Sequence, residues 1–286
     1  MKHVSIISVL KSQGKQYIPN PRKAEVPGIF RGRPVITGVA VDSQAVAGCC
    51  PMNAISAEGG ISIDLGKCAF CGKCARLFPE KISFTKDYHI ATTVRENLIV
   101  REGVDAPIEF GPIPECARLF KGSLKLRQVS AGGDNSCEWE LGATGNVNFD
   151  MGRYGIEFVA SPRHADGIVV TGPITANMSR ALQICYDAVP EPKLVVLCGT
   201  DAISGGIFAS AQNGLTSQQL GDGHTGLTTQ TIGGDCGQND VMGTSATGNG
   251  CLDRSFLDTH KVDLYIPGNP AHPLAIINGL LQLTGR

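Results

Sequence analysis

Gly167-Ile168-Val169-Val170-Thr171 and Leu194-Val195-Val196-Leu197-Cys198 are two short, almost uninterrupted apolar runs. A strand with one face in the core alternates apolar and polar residues, whereas a run that is apolar throughout needs cover on both faces. Between the two runs the period changes. From Ala176 to Ala188 the apolar residues recur at helical spacing, with Thr175 placed to cap the segment and Pro190 to end it. Working outward, Leu124 to Val129 and Ile156 to Ala160 read as earlier strands and Val262 to Ile266 as a later one. Pro273 to Leu283 reads as a closing helix with proline near its start. This alternation predicts an α/β fold with a doubly wound parallel sheet over residues 123–286. The stretch from about 210 to 260 breaks the pattern: Gly, Thr, Gln and Asn dominate it, and it reads as a long loop or insertion.

Upstream, the text changes character. Residues 1–34 are rich in Pro, Lys and Arg without periodicity and read as an extended arm. Residues 35–90 hold short β-like runs, Ile61-Ser62-Ile63 and Ile82-Ser83-Phe84, on either side of a cysteine cluster. Such a module is too small to own a large core and would depend on a bound cofactor. Residues 91–122 read as a connector.

The cluster is Cys68-x-x-Cys71-x-x-Cys74, preceded by Cys50-Pro51. Three thiolates at that spacing wrap one corner of an iron–sulfur cubane, and in two-cluster bacterial ferredoxins the fourth ligand is the Cys of the other half's Cys-Pro. Cys50, Cys68, Cys71 and Cys74 are therefore the expected ligands of one [4Fe-4S] cluster. Zinc is the competing reading, although structural zinc usually takes two separated pairs of ligands. The second cluster of that pattern would need cysteines where Ala40, Ser43, Val46 and Phe78 stand. The four absences together read as one cluster lost as a unit, which leaves Cys49 as a buried thiol. Cys116 and Cys185 sit among apolar or helical neighbours and read as packing residues.

Composition bounds the rest. The 286 residues carry 25 Lys+Arg against 26 Asp+Glu, which argues against a nucleic-acid-binding face. No apolar run approaches the roughly 20 residues of a membrane span, so the expectation is a cytoplasmic chain without a transmembrane segment. Eleven unevenly spaced cysteines are not a disulfide framework. No Walker loop, dinucleotide fingerprint or Ser/His/Asp triad can be assembled, and Gly205-Gly206 reads as a point of close backbone packing.

Several segments of the second half resemble the small subunit of group 4 membrane-bound [NiFe] hydrogenases and formate hydrogenlyase, and more distantly the 20 kDa subunit of complex I. They are Ser123 to Ser130, Cys137-Glu138-Trp139-Glu140, Phe158 to Pro173 with its Ser161-Pro162-Arg163-His164-Ala165-Asp166 core, Asp187 to Lys193, Ile203 to Phe208 and Tyr265-Ile266-Pro267-Gly268. The resemblance implies a flavodoxin-like domain behind a small ferredoxin-like α+β module, and a proximal four-iron cluster held beside a large subunit's active site. It expects four proximal thiolates, at positions that here hold Asp134, Cys137, Asp201 and Asn269. Two carboxylates and an amide are poor iron ligands, so an empty second site is the first expectation. Re-ligation by Cys198, Cys236 and Cys251 is the alternative.

The resemblance also gives Glu138 a part in proton movement, against the simpler reading of a polar loop carboxylate, and places Arg163 and His164 against the large subunit. The implied function is an iron–sulfur electron-transfer subunit with no active site of its own. It would dock on a hydrogenase-like large subunit and reach a membrane module through partners, peripheral on the inner face of the membrane. A redox-inert coupling subunit is the second reading.

Overall fold

The computed structural model describes residues 5–14, 17–212 and 252–286. The first 34 residues are not wholly extended, as helix α1 covers Ile6–Gln13. It buries none of its residues, and Ile6, Ile7 and Leu10 are exposed.

The cysteine-bearing part follows in short pieces: β1 (Pro34–Ile36), α2 (Ser43–Gly48), β2 (Ile55–Ser56), β3 (Ser62–Asp64), α3 (Lys73–Leu77), β4 (Ile82–Phe84) and β5 (Ile99–Arg101). β1 pairs antiparallel with β4, while β2, β3 and β5 form an antiparallel three-stranded sheet. Asp42 caps α2 by accepting the N–H groups of Gln44 and Ala45, and Val46, at one of the positions of the absent second cluster, is fully buried. The residues expected to be connector thus supply a strand, β5, to this part.

Ion pairs, two of them with a buried cation, fasten the small sheets. Lys81, 2% exposed, donates to the Glu102 carboxylate at 2.5 Å and to the Val39 carbonyl at 2.7 Å. Arg33 pairs with Asp105 at 2.7 Å, and Arg95 makes two bonds to Asp64, at 2.8 and 2.7 Å.

The second part contains β6 (Leu124–Ser130), α4 (Ser136–Ala143), β7 (Ile156–Phe158), β8 (Gly167–Thr171), α5 (Ala176–Asp187), β9 (Leu194–Cys198), α6 (Thr200–Ser204), α7 (Gly206–Gln212), α8 (Ser255–Thr259), β10 (Leu264–Ile266) and α9 (Pro273–Leu283). All pairs in its five-stranded sheet are parallel, in the order β10-β9-β8-β6-β7. Counted along this domain, that is 5-4-3-1-2, the flavodoxin-like order. Every residue of β8 and β9 is buried, as expected for parallel strands covered on both faces. α9 starts on Pro273, is capped by His272 Nδ1 accepting the Leu274 N–H, and buries nearly its whole length beside β10 and α4.

Small corrections concern ends. β7 stops at Phe158 rather than Ala160 and β10 starts at Leu264 rather than Val262. Thr175 sits at the N-cap of α5 without a side-chain cap bond; its carbonyl accepts from Met178 and Ser179 instead.

Most of the expected insertion lies outside the described residues, but its flanks are fixed. Leu252 bridges Thr175, its Cδ1 stands 3.1 Å from where a Cβ on Gly205 would be, and the Asp253 N–H bonds the Ile174 carbonyl at 3.0 Å. Arg254 then closes α6, donating to the carbonyls of Pro173, Asp201, Ala202 and Ile203. The apolar cores of the two parts are continuous, so the cysteine-bearing part does not stand alone.

Candidate functional site

The four cysteines singled out from the sequence come together. Cys50, Cys68, Cys71 and Cys74 line one small pocket, with Pro51, Met52, Ile55, Ile63 and Phe84 among its apolar walls. The loop turns around the pocket through two left-handed residues, Phe70 (φ 51°) and Gly72 (φ 73°). Backbone N–H groups point at sulfur: Ala54 N–H to Cys50 Sγ at 3.4 Å and Phe70 N–H to Cys68 Sγ at 3.3 Å.

Cys68 is buried, Cys50 and Cys74 are half-buried and Cys71 is exposed. Burial pushes the Cys68 thiol up to about 12 and the Cys74 thiol up to about 11. A pocket this apolar resists bare thiolates and favours them only with a cation to share the charge. Among the described residues no three His, Cys, Asp or Glu side chains converge on a single metal ion. A cubane asks for a different arrangement, with each thiolate on its own iron. An apolar pocket, four thiols and amide N–H groups aimed at sulfur fit such a group. Cys49 is half-buried rather than buried, and burial raises its thiol.

The second set of residues gathers at the C-terminal ends of β6, β8 and β9, beside the switch point of the parallel sheet where open α/β sheets place their ligands. Glu138 Oε1 accepts Ser130 Oγ at 2.6 Å and Thr171 Oγ1 at 2.8 Å, and those two residues are the last of β6 and β8. Glu138 is thus a held carboxylate rather than a loose loop residue. Cys137 stands against Gly199: a Cβ there would lie 2.3 Å from Cys137 Sγ, and Gly199 has φ 95°. The Cys137 thiol and complete burial push the neighbouring Cys198 well above the ordinary thiol range.

Asp201 is 6% exposed, and its Oδ1 has no hydrogen-bond partner among the described residues. Its carboxyl fits only because residue 206 is glycine, since a Cβ there would come within 1.6 Å of Oδ1. This is the close packing expected of Gly205-Gly206. Burial, with Asp134 and Glu138 nearby, pushes Asp201 up to about 6. Asp134 is exposed and held low by its hydrogen bonds from Ser136.

Asn269 lies on the adjoining loop and shares a cavity with Gly268, Pro270, Glu140 and His272 on one wall and Arg31, Phe70 and Cys71 on the other. The structure therefore brings the two candidate sites next to each other. Of the alternative thiols, Cys198 lies beside Cys137, while Cys236 and Cys251 fall outside the described residues. Arg163 and His164 are exposed on a single 3-10 turn. Cys116 and Cys185 are half-buried and pack against the core, and Cys116 also lines a surface cavity with Lys193 and Asp263.

Two residues of this region carried no signal in the sequence. Thr200 bonds Cys68 across the molecule, and Arg254 bonds the carbonyls at the end of α6.

Residues 135–283, just over half of the chain, match the family described as NADH ubiquinone oxidoreductase, 20 Kd subunit. An uncharacterised protein of Methanocaldococcus jannaschii is 42% identical over 88 residues, 31% of this chain and 60% of that protein. A subunit of the NADH-quinone oxidoreductase of Citrifermentans bemidjiense is 34% identical over 147 residues, 51% of this chain and 64% of the relative. The chain thus spans less than two thirds of either relative's length. The protein of Pyrococcus furiosus named "Probable membrane-bound hydrogenase subunit mbhJ" is 28% identical over 169 residues, 59% of this chain and 78% of that one.

Proposed function

Because the chain belongs to the NADH ubiquinone oxidoreductase 20 kDa subunit family, we propose that it is an iron–sulfur electron-transfer subunit of a membrane-associated, hydrogenase-like or complex-I-like assembly. The observation that carries this reading is the single apolar pocket lined by Cys50, Cys68, Cys71 and Cys74. A [4Fe-4S] cluster bound there would accept and release single electrons. The chain's own contribution is to exclude water, direct the N–H groups of Ala54 and Phe70 at sulfur, and leave the Cys71 side exposed. Hydrogen bonds to sulfur and solvent exposure are what set the potential of such a group.

No catalytic residue set is assigned to this chain, so the substrate chemistry belongs to a large subunit docked on the α/β half. The reading makes it a peripheral subunit on the cytoplasmic face, joined to the membrane module through partners; among the described residues no helix is long and apolar enough to cross a membrane. The second reading, a redox-inert coupling subunit, is favoured by Asp134, Asp201 and Asn269 standing where proximal thiolates are expected.

Iron and acid-labile sulfide content, with EPR of the anaerobically reduced chain and of Cys71→Ser, tests the assignment. About four irons per chain, with a signal lost in the variant, is the expected result. About eight irons would mean that thiols including Cys137 rebuild a second cluster, and no iron would leave the coupling role.

A further inference from the structure

The cluster-binding loop is fastened to the degenerate site of the α/β half at one residue. Thr200 Oγ1 donates to the Cys68 carbonyl at 3.0 Å, across 132 positions of sequence. Thr200 N–H donates to the Gly268 carbonyl at 2.8 Å, and the Gly268 N–H reaches back to Thr200 Oγ1 at 3.4 Å. Thr200 is fully buried, so these bonds form out of water, where an unmade partner is costly. Packing reinforces the contact, because a Cβ on Gly66 would come 2.8 Å from Ile203 Cγ2. On the open side, Phe70 and Cys71 face Gly268 and Asn269 across the shared cavity, and Arg31 steadies the loop by donating to the Phe70 carbonyl at 2.9 Å. Thr200 immediately precedes Asp201, and Gly268 immediately precedes Asn269. Two of the four positions at which the resemblance expects proximal thiolates therefore flank the residues that grip the loop.

We propose that Thr200 is a positioning residue that docks the cluster-binding loop onto the degenerate site, so that Cys50, Cys68, Cys71 and Cys74 present the terminal electron carrier of the chain beside the place where a second cluster would otherwise stand. The inference rests on the reading of those four cysteines as cluster ligands. A chain that passes electrons through two carriers can leave a gap between them; a chain with one must bring it up to the surface its partner uses. The hydroxyl-to-carbonyl bond does this directly. It also places a donor dipole on the residue that carries a ligand sulfur, which stabilises the more negative, reduced state.

The test uses the full-length chain, isolated anaerobically with its iron. Thr200→Val keeps the shape and removes the hydroxyl. The expected result is unchanged iron content, a lower midpoint potential in an EPR-monitored titration, and faster amide exchange over residues 66–74, with both changes reversed in Thr200→Ser. An unchanged potential and unchanged exchange in Thr200→Val would overturn the docking role, as would a wild-type chain holding about eight irons. Should Thr200→Val fail to accumulate, Ile203→Ala carries the test. It thins the packing on Gly66 without removing a hydrogen bond, and it must speed exchange over residues 66–74 with iron retained; unchanged exchange refutes the docking. Absence of any cluster signal in the wild type sinks the functional reading itself, whereas a normal signal indifferent to Thr200 sinks only this inference.

Discussion

The two parts of the chain share one apolar core but add to it in different ways. In the α/β part, β8 and β9 are buried at every residue and α9 along nearly its whole length, so stability comes from apolar area removed from water. In the cysteine-bearing part no strand exceeds three residues, and the small sheets are tied by Lys81–Glu102, Arg33–Asp105 and Arg95–Asp64 and by the loop around four thiols. A fold carried by burial announces itself in the period of its sequence. A part that adds ion pairs between short strands is written in single residues that look like surface until their partners are known.

The contrast can be broken, beginning where the effect is largest. If Cys50, Cys68, Cys71 and Cys74 hold the proposed cluster, Cys71→Ser should abolish it and unfold the region around residues 34–105, because metal binding would then supply folding free energy there, while the sheet from β6 to β10 stays protected. Hydrogen exchange resolved along the chain checks it, and uniform protection in the variant would erase the distinction between the two parts.

Ile168→Ala, in the middle of β8 and fully buried, should cost about 2–5 kcal/mol whether or not iron is bound. Denaturant unfolding of iron-loaded and iron-free protein gives the comparison, and a cost that depended on iron would show the parts to be one cooperative unit.

Asp201→Asn sharpens the boundary between them. The Asp201 carboxyl is pushed from about 4 in an unfolded chain up to about 6 by burial, so the folded state holds a proton that the unfolded state releases in that window. Stability attributable to this group is present below about pH 4, falls as pH rises through about 6 and stays lower above it. The amide should flatten that fall, gaining on the order of 2 kcal/mol near neutral pH and almost nothing near pH 4. Thermal midpoints across this range decide it.

The smallest effect is expected from Glu157→Gln. It breaks the exposed 2.6 Å pair with Lys125 on adjacent strands β6 and β7, and should cost less than about 1 kcal/mol and vanish in high salt.

How much was legible follows the same division. β8, β9, α9 and β4 stand at the residues their patterns marked, and the parallel doubly wound sheet could be anticipated from the alternation, while its flavodoxin-like order was implied only by the resemblance. The Cys68 to Cys74 spacing led directly to one pocket. The strand β5 was hidden, because Ile99–Arg101 is too short to show a period and becomes a strand only by pairing with β3. Lys81, between Glu80 and Ile82, reads as surface yet is almost wholly buried by its bond to a glutamate 21 positions away. Thr200 had no local signature at all: its role exists only across 132 residues, a separation at which sequence pattern is silent. The close approach of the cysteine pocket to the residues around Asp201 and Asn269 was hidden for that reason, although each was visible separately.

The anchoring of Leu252 on Gly205 and Thr175 has a consequence for how such a chain can change over generations. Because the domain itself fixes α7 on one side and Leu252 on the other, it places almost no geometric demand on the length of sequence that joins them. For any chain joining two fixed ends, doubling its length adds only about 0.6 kcal/mol of closure entropy. Arg254, by completing the carbonyls of α6 from the far side, seals the sheet against whatever happens in between. The position is a port at which sequence can be gained, lost or exchanged without renegotiating the topology of the domain that carries it.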